Sequence, residues 1–206
     1  MAVAVKAVVF DLGKVLVDWD PRHLYRKLFD DEAAMEEFLA TVCTLEWNDR
    51  LDRGMPFAEG VAQLTAAFPE HRDLIDAYHS RWIEMVPGAV EETVVVLAEL
   101  HGRGVPLYAL SNWSAETFLL VRDRFPFMEW FDGIVLSGEV GVTKPDARIF
   151  DELRTRYGLE PATTLFIDDI EANVDGARAA GLQAVRFDSA ATLRGDLTRL
   201  GVLESD

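Results

Sequence analysis

Hydrophobic and polar positions follow two rhythms along this chain. One is a set of short apolar runs: Ala7 to Phe10, Val105 to Leu110, Gly133 to Leu136, Thr164 to Ile167 and Ala184 to Phe187. Such runs, rich in β-branched and aromatic residues, predict strands buried on both faces, as in a parallel sheet. The other rhythm is helical and fills the gaps, over Val90 to Arg103, Ala115 to Arg124, Ala147 to Tyr157 and Ala172 to Ala180. Gly104, Gly158 and Gly181 stand where those helices should stop, each shortly before the next strand. Strands alternating with helices imply right-handed crossovers and a mainly parallel sheet with helices on both faces.

From about Pro21 to Val86 only the helical rhythm remains, carried by Leu24 and Leu28, by Met35, Phe38, Leu39 and Val42, by Val61 and Leu64, and by Leu74, Tyr78 and Trp82. About 65 residues of helix exceed what a crossover between adjacent strands requires. The pattern therefore predicts a helical cap inserted over the strand ends, spanning 18–86, with Pro87-Gly88 marking the return. Residues 1–17 and 87–206 then form the core.

Composition narrows the setting. A chain of 206 residues, half of them hydrophobic, buries a real core as one domain or as a core with an insertion. A net charge of -16 argues against nucleic-acid and anionic-membrane partners. It leaves room for a small anionic substrate where a metal ion and a few cations reverse the field locally. Cys43 stands alone and makes no internal disulfide, which fits a reducing cytoplasm. No apolar run approaches the roughly 18 residues of a membrane helix. The apolar start is interrupted by Lys6 and Asp11, unlike a secretion signal. The expectation is a cytoplasmic protein without a membrane partner, either monomer or homodimer.

Four polar elements stand at or just beyond predicted strand ends: Asp11, Ser111-Asn112, Lys144-Pro145 and Asp168-Asp169. Ligands of parallel sheets bind beyond the carboxyl ends of the strands, so all four fall where chemistry is done. Each alone has an ordinary structural use. An Asp turns the chain, a Ser or an Asp pair caps a helix, and a Lys-Pro opens one.

In this order the four elements resemble the motifs of the haloacid-dehalogenase-like hydrolase superfamily, and the inserted helices resemble its type-1 cap. The resemblance implies a Rossmann-like three-layer α/β/α core. It further implies that Asp11 is a nucleophile forming an aspartyl-phosphate, the logic of covalent catalysis by carboxylates. Mg²⁺ is the implied cofactor, bound by Asp11, the Gly13 carbonyl, Asp169 and Asp168, with Asp169 the first choice for direct ligation. Ser111 is the implied phosphate-binding hydroxyl, with Asn112 beside it. Lys144 is the implied cation stabilising the nucleophile and the phosphoryl group. Asn173 is placed either to orient the acidic pair or to cap its helix. In the cap, Trp47-Asn48-Asp49-Arg50 and Asp52-Arg53-Gly54 form a polar turn between helices, suited to substrate contact through Trp47 as a ring to stack on and Arg53 or Asn48 at a leaving group, although a core Trp and a surface loop fit equally. Trp113 is a candidate pocket wall, whereas His71 and His79 are expected on the surface.

One position departs from the pattern. Phosphatases of this family carry a second Asp two residues after the nucleophile, as general acid, and here that position is Gly13. General acid catalysis contributes typically ~10²- to 10⁴-fold, so its absence matters for poor leaving groups. Three readings follow. The chain is a phosphatase of better leaving groups, such as anomeric sugar phosphates, as in an Asp-Leu-Gly branch that includes α-glucose-1-phosphatases, with Asp18 or Asp20 as substitute donors. It is a metal-free 2-haloacid dehalogenase, for which the Asp168-Asp169 pair is atypical. Or it is a weakly active or non-catalytic binding protein.

Overall fold

The computed structural model describes residues 3–204. β1 (Ala7–Phe10) leads through a tight turn to β2 (Val17–Asp18), and five helices follow: α1 (Arg22–Tyr25), α2 (Glu32–Thr41), α3 (Leu45–Asp52), α4 (Phe57–Ala67) and α5 (Arg72–Ser80). The chain returns through β3 (Gly88–Ala89) to α6 (Glu91–Gly102), β4 (Leu107–Ser111), α7 (Ala115–Val121), β5 (Gly133–Leu136) and α8 (Ser137–Val140). It ends with α9 (Ala147–Tyr157), β6 (Thr164–Asp168), α10 (Glu171–Ala179), β7 (Gln183–Arg186) and α11 (Ala190–Arg199).

Five strands form one parallel sheet in the order β5, β4, β1, β6, β7. β1 takes the centre because all four of its residues are apolar and can be buried on both faces. Val8, Phe10, Leu107, Ala109, Leu165 and Ile167 face one layer. Val9, Leu110 and Phe166 face the other, against Ile149, Phe150 and Leu153 of α9. Burial of each such side chain contributes roughly 1.5–3 kcal/mol.

The predicted α/β core and inserted helices are therefore present, with differences at element ends. β4 starts at Leu107 rather than Val105, because the Val105 amide closes the end of α6 on Leu100 O and Pro106 has no N–H. α7 stops at Val121, and 3-10 turns at Arg122–Arg124 and Pro126–Trp130 carry the chain to β5. β7 lies one residue earlier than expected. α11, which the strand-and-helix pattern did not reach, is capped by Ser189, whose hydroxyl accepts from Thr192 N, and buries Leu193 and Leu197. Gly104, Gly158 and Gly181 all take positive φ, the left-handed helix ends that glycine permits.

The inserted helices share the core's interior. Met35, Phe38, Leu51, Phe57, Ile75 and Tyr78 belong to the same hydrophobic cluster as Val8 and Phe10. At its root, β2 and β3 pair antiparallel, Val17 with Ala89 and Asp18 with Gly88, tying the outgoing chain to the returning one. Among the described residues no helix is long and apolar enough to cross a membrane.

The insertion also meets the core backbone to backbone. Gly54, just after α3, has φ +94°, and a Cβ there would lie 2.9 Å from Gly138 O in α8. Gly54→Ala should cost about 1–2 kcal/mol for the left-handed conformation alone, with the close approach adding to it. A fall in Tm of roughly 2–8 °C is expected. An unchanged Tm would show that this contact does not hold the insertion in place.

Candidate active site

The side chains converge because the sheet brings its strand ends together. Asp11 follows β1, Ser111 ends β4 and Asp168 ends β6, so three neighbouring strands deliver three polar residues to one edge. Lys144 reaches the same point from the loop before α9. Its ammonium lies 2.9 Å from Asp11 Oδ1, 2.7 Å from Asp168 Oδ2 and 3.0 Å from Leu110 O. An ammonium has three protons, and here each has an acceptor. Burial works against the lysine's charge, but Asp11 and Asp168 together outweigh it and hold its pKa above the ordinary value.

Two amides fix this arrangement. Asn112 accepts from the Lys144 backbone N–H at 2.8 Å and donates to the Lys144 carbonyl at 3.1 Å. Asn173 donates to both oxygens of Asp168, at 3.0 and 3.1 Å. Asp168, fully buried, accepts in addition from Ile170 N at 2.8 Å. Asn173 thus fixes Asp168, one member of the acidic pair.

Asp11, Asp168 and Asp169 each offer an oxygen within 4.8 Å of the others, a spacing able to hold a metal ion. Burial raises the Asp11 carboxyl, Lys144 pulls it down, and Asp168 and Asp169 push it up again, leaving it at about 7. Burial and the neighbouring Asp168 raise Asp169 as well. Lys144 and the Leu12 amide both bind Asp11 at Oδ1.

Beside this cluster lies a cavity lined by Gly13, Trp19, Asn48, Asp52, Trp82, Asn112 and Trp113. It encloses about 340 Å³ of empty space, open mouth included. Trp113, predicted as a pocket wall, is one. Its ring stands 5.8 Å from that of Trp82.

The structure does not bring Trp47 or Arg53 to the cavity. Trp47 is buried among the inserted helices, donating to Gly60 O at 3.3 Å and packing edge-on against Tyr78. Arg53 lies on the surface, paired at 2.6 Å with Asp49 one helical turn back. Asp18 binds His23 and Asp20 binds Arg22, and neither lines the cavity. His79 is exposed and His71 half-buried.

The polar turn expected between cap helices is helix α3 as far as Asp52. Asn48, expected from sequence to meet a leaving group, lines the cavity, whereas Trp19, Trp82 and Asp52 were given no site role from sequence. The available signal was on α3, where Asn48 and Asp52 sit one turn apart on the side that also buries Trp47 and Leu51. Tyr78 donates to Asn48 Oδ1 at 2.8 Å, which turns the Asn48 amide N–H₂ onto Asp52 Oδ2 at 2.7 Å. From the core, the Ser114 amide donates to Asp52 Oδ1 at 3.2 Å, and the Ser137 hydroxyl donates to the Asp52 carbonyl. Burial raises the Asp52 carboxyl, the Ser114 and Asn48 bonds oppose it, Asp49 and Asp11 add to it, and the result is about 8.

Two predictions follow from these charges. Lys144→Ala leaves two buried carboxylates without their cation and should cost about 3–5 kcal/mol in denaturant unfolding, as for other broken buried pairs. A loss below about 1 kcal/mol would show that the pairing does not hold the site together. Asp52, raised in the fold above its ordinary 3.8, adds stability that is complete below that value and lost as pH climbs towards about 8. Relative to wild type, Asp52→Asn should therefore gain stability between pH 5 and pH 8. A constant difference would mean that the carboxyl is already ionised at pH 5.

Solved structures share the fold, and curated relatives match along most of the chain. The sesquiterpene phosphatase astK of Aspergillus oryzae is 26% identical over 93% of this chain and 95% of its own. A HAD family enzyme of Bacteroides thetaiotaomicron, solved with magnesium and inorganic phosphate, superposes with a TM-score of 0.68 at 22% identity, covering 90% of this chain and 95% of its own. The L-2-haloacid dehalogenase of Xanthobacter autotrophicus, with chloropropionic acid covalently bound, gives 0.63 at 18% identity over 97% of this chain and 84% of its own. The family described as haloacid dehalogenase-like hydrolase matches residues 5–181, which include every element of the Lys144 cluster, and this chain belongs to that family.

Proposed function

We propose that this hydrolase cleaves small phosphate monoesters in a Mg²⁺-dependent reaction, through an aspartyl-phosphate on Asp11. The observation that carries the reading is a charge imbalance. Three carboxylates crowd within 4.8 Å, and one buried ammonium answers them. Two negative charges remain, which suits a small divalent cation with oxygen ligands. The donors fit. Asp168 has both oxygens engaged by Lys144, Asn173 and Ile170, so Asp11, Asp169 and the Gly13 carbonyl are the better ligands. Bound there, magnesium supplies positive charge to the phosphoryl oxygens and to the nucleophile.

The chain's own groups supply the rest. Both protein contacts of Asp11 fall on Oδ1, which leaves Oδ2 to attack phosphorus as the ester P–O bond breaks. Lys144 neutralises charge on the nucleophile and on the transferring group, from a position that needs no rearrangement. Ser111 offers its hydroxyl to the phosphate, and Asn112 holds the lysine backbone in place. Water then hydrolyses the aspartyl-phosphate, while the inserted helices limit the entry of other water.

On this reading the walls of the cavity would receive the alcohol part of the substrate. Trp19, Trp82 and Trp113 offer flat apolar faces, and Asn48 and Asn112 offer amides. This suits a sugar ring stacked on an indole, or an apolar group such as a terpene, the class that stands in the name of the Aspergillus relative. A metal-free dehalogenase has no use for the uncompensated carboxylates.

The test is phosphate release from a panel of sugar, alkyl and prenyl phosphates, with Mg²⁺ or with a chelator. Release should require the metal, and Asp11→Asn should reduce it to background. Chelator-resistant halide release from 2-chloropropionate, with no phosphate from any ester, would replace this reading with the dehalogenase.

A further inference from the structure

Gly13 leaves this site without a proton for the departing alcohol, and space is not the reason. A Cβ built on Gly13 meets nothing within 4 Å, and Gly13 is not among the glycines with positive φ. The backbone there accepts a Cβ, yet the chain has no side chain at that position.

The cavity nevertheless contains one carboxyl. Of its seven lining residues three are tryptophans, two are asparagines and one is glycine, which leaves Asp52 as the group with a transferable proton. Asp18 and Asp20, the substitute donors expected from sequence, are engaged elsewhere, Asp18 with His23 and Asp20 with Arg22. Asp52 is held from two directions, by Asn48 on its own helix and by the Ser114 amide of the core. Both are donors to its oxygens, so a proton on Asp52 has no acceptor in that pair and is free to point into the cavity.

Resting on the phosphatase reading, we propose that Asp52, carried by the inserted helices, is the general acid and base of this enzyme. In the first step an Asp11 oxygen bonds to phosphorus, the ester P–O bond breaks, and the Asp52 proton passes to the alcohol oxygen. Asp52 is then a carboxylate and the alcohol leaves neutral. In the second step Asp52 takes a proton from water as the water oxygen bonds to phosphorus. The bond from Asp11 to phosphorus breaks, inorganic phosphate leaves, and both carboxyl groups return to their starting states.

The surroundings suit this cycle. Burial holds the Asp52 carboxyl at about 8, so it is protonated at neutral pH and still able to donate. The Tyr78 hydroxyl is raised well above its usual value, chiefly by burial, and is engaged with Asn48. It orients the amide that holds the acid.

The experiment is a series of phosphate monoesters from p-nitrophenyl to simple alkyl, assayed with Mg²⁺ on wild type, Asp52→Asn, Gly13→Asp and the double variant. Asp52→Asn should lose on the order of a hundredfold more kcat/KM on alkyl esters than on the p-nitrophenyl ester. Adding Gly13→Asp should recover the alkyl rate. Equal losses along the series, or no recovery, would assign Asp52 to structure alone. Wild type decides without any variant folding, because a rate that falls steeply with leaving-group pKa also excludes a working acid. If wild type releases no phosphate even from the p-nitrophenyl ester, the phosphatase reading fails. Release without the Asp52 selectivity removes only this proposal.

Discussion

The ammonium of Lys144 is the interaction on which the rest of this molecule is arranged. It takes an acceptor from each of the three central strands: the Leu110 carbonyl of β4, Asp11 after β1 and Asp168 at the end of β6. Removing such a group from water costs several kcal/mol per ion, and attraction offsets that cost only where every proton finds a partner. The geometry meets this condition. It also explains the two asparagines. Asn112 locks the lysine backbone and Asn173 locks Asp168, so neither end of the ion pair can drift without losing hydrogen bonds. The apolar strands set the sheet, but this charge fixes the relation of their ends.

A second constraint acts between the core and the inserted helices. The hydrophobic cluster runs from the sheet into the insertion without a break, so the two are not held by polar contacts alone. The polar contacts instead set position. Ser137 receives the Trp113 amide and donates to the Asp52 carbonyl, and the Ser114 amide reaches the Asp52 side chain. The loop after β4 and the first residue of α8 therefore place both an indole wall of the cavity and the Asp52 carboxyl that lines it.

Much of this was legible in the amino-acid order, for identifiable reasons. β1, β4 and β6 are short runs buried on both faces, and their almost unbroken apolar character with abrupt polar ends leaves little ambiguity. Asp11, Ser111 and Asp168 inherit that clarity, because a residue at the end of a buried strand has its position set by the strand. The ends of α7 and β4 were less legible, since 3-10 turns and a proline decide them locally. The cap residues were least legible. Trp47 and Trp82 are both tryptophans on the apolar sides of cap helices, but one is buried in the insertion and the other lines the cavity. Periodicity identifies a buried face without saying which neighbour covers it. Arg53 illustrates the converse, a charge in a plausible loop whose partner proves to be Asp49 on its own helix.

The relation between Gly13 and Asp52 follows from the same electrostatics. A fourth carboxylate directly beside Asp11, Asp168 and Asp169 would add repulsion to a cluster that one lysine already fails to balance, and its protonation would then depend on whatever cation is bound. Asp52 avoids that dependence. Its carboxyl is raised chiefly by burial, and Asp11 contributes least among the groups that shift it. Its proton is therefore governed by how the insertion is seated on the core, through Asn48 and Ser114, rather than by the charge state of the cluster. On the proposed mechanism the nucleophile, Asp11, would belong to the sheet and the proton donor, Asp52, to the insertion. The two would then act together only where α3 rests on Ser114 and Ser137, so the contacts that position the insertion would also position the acid.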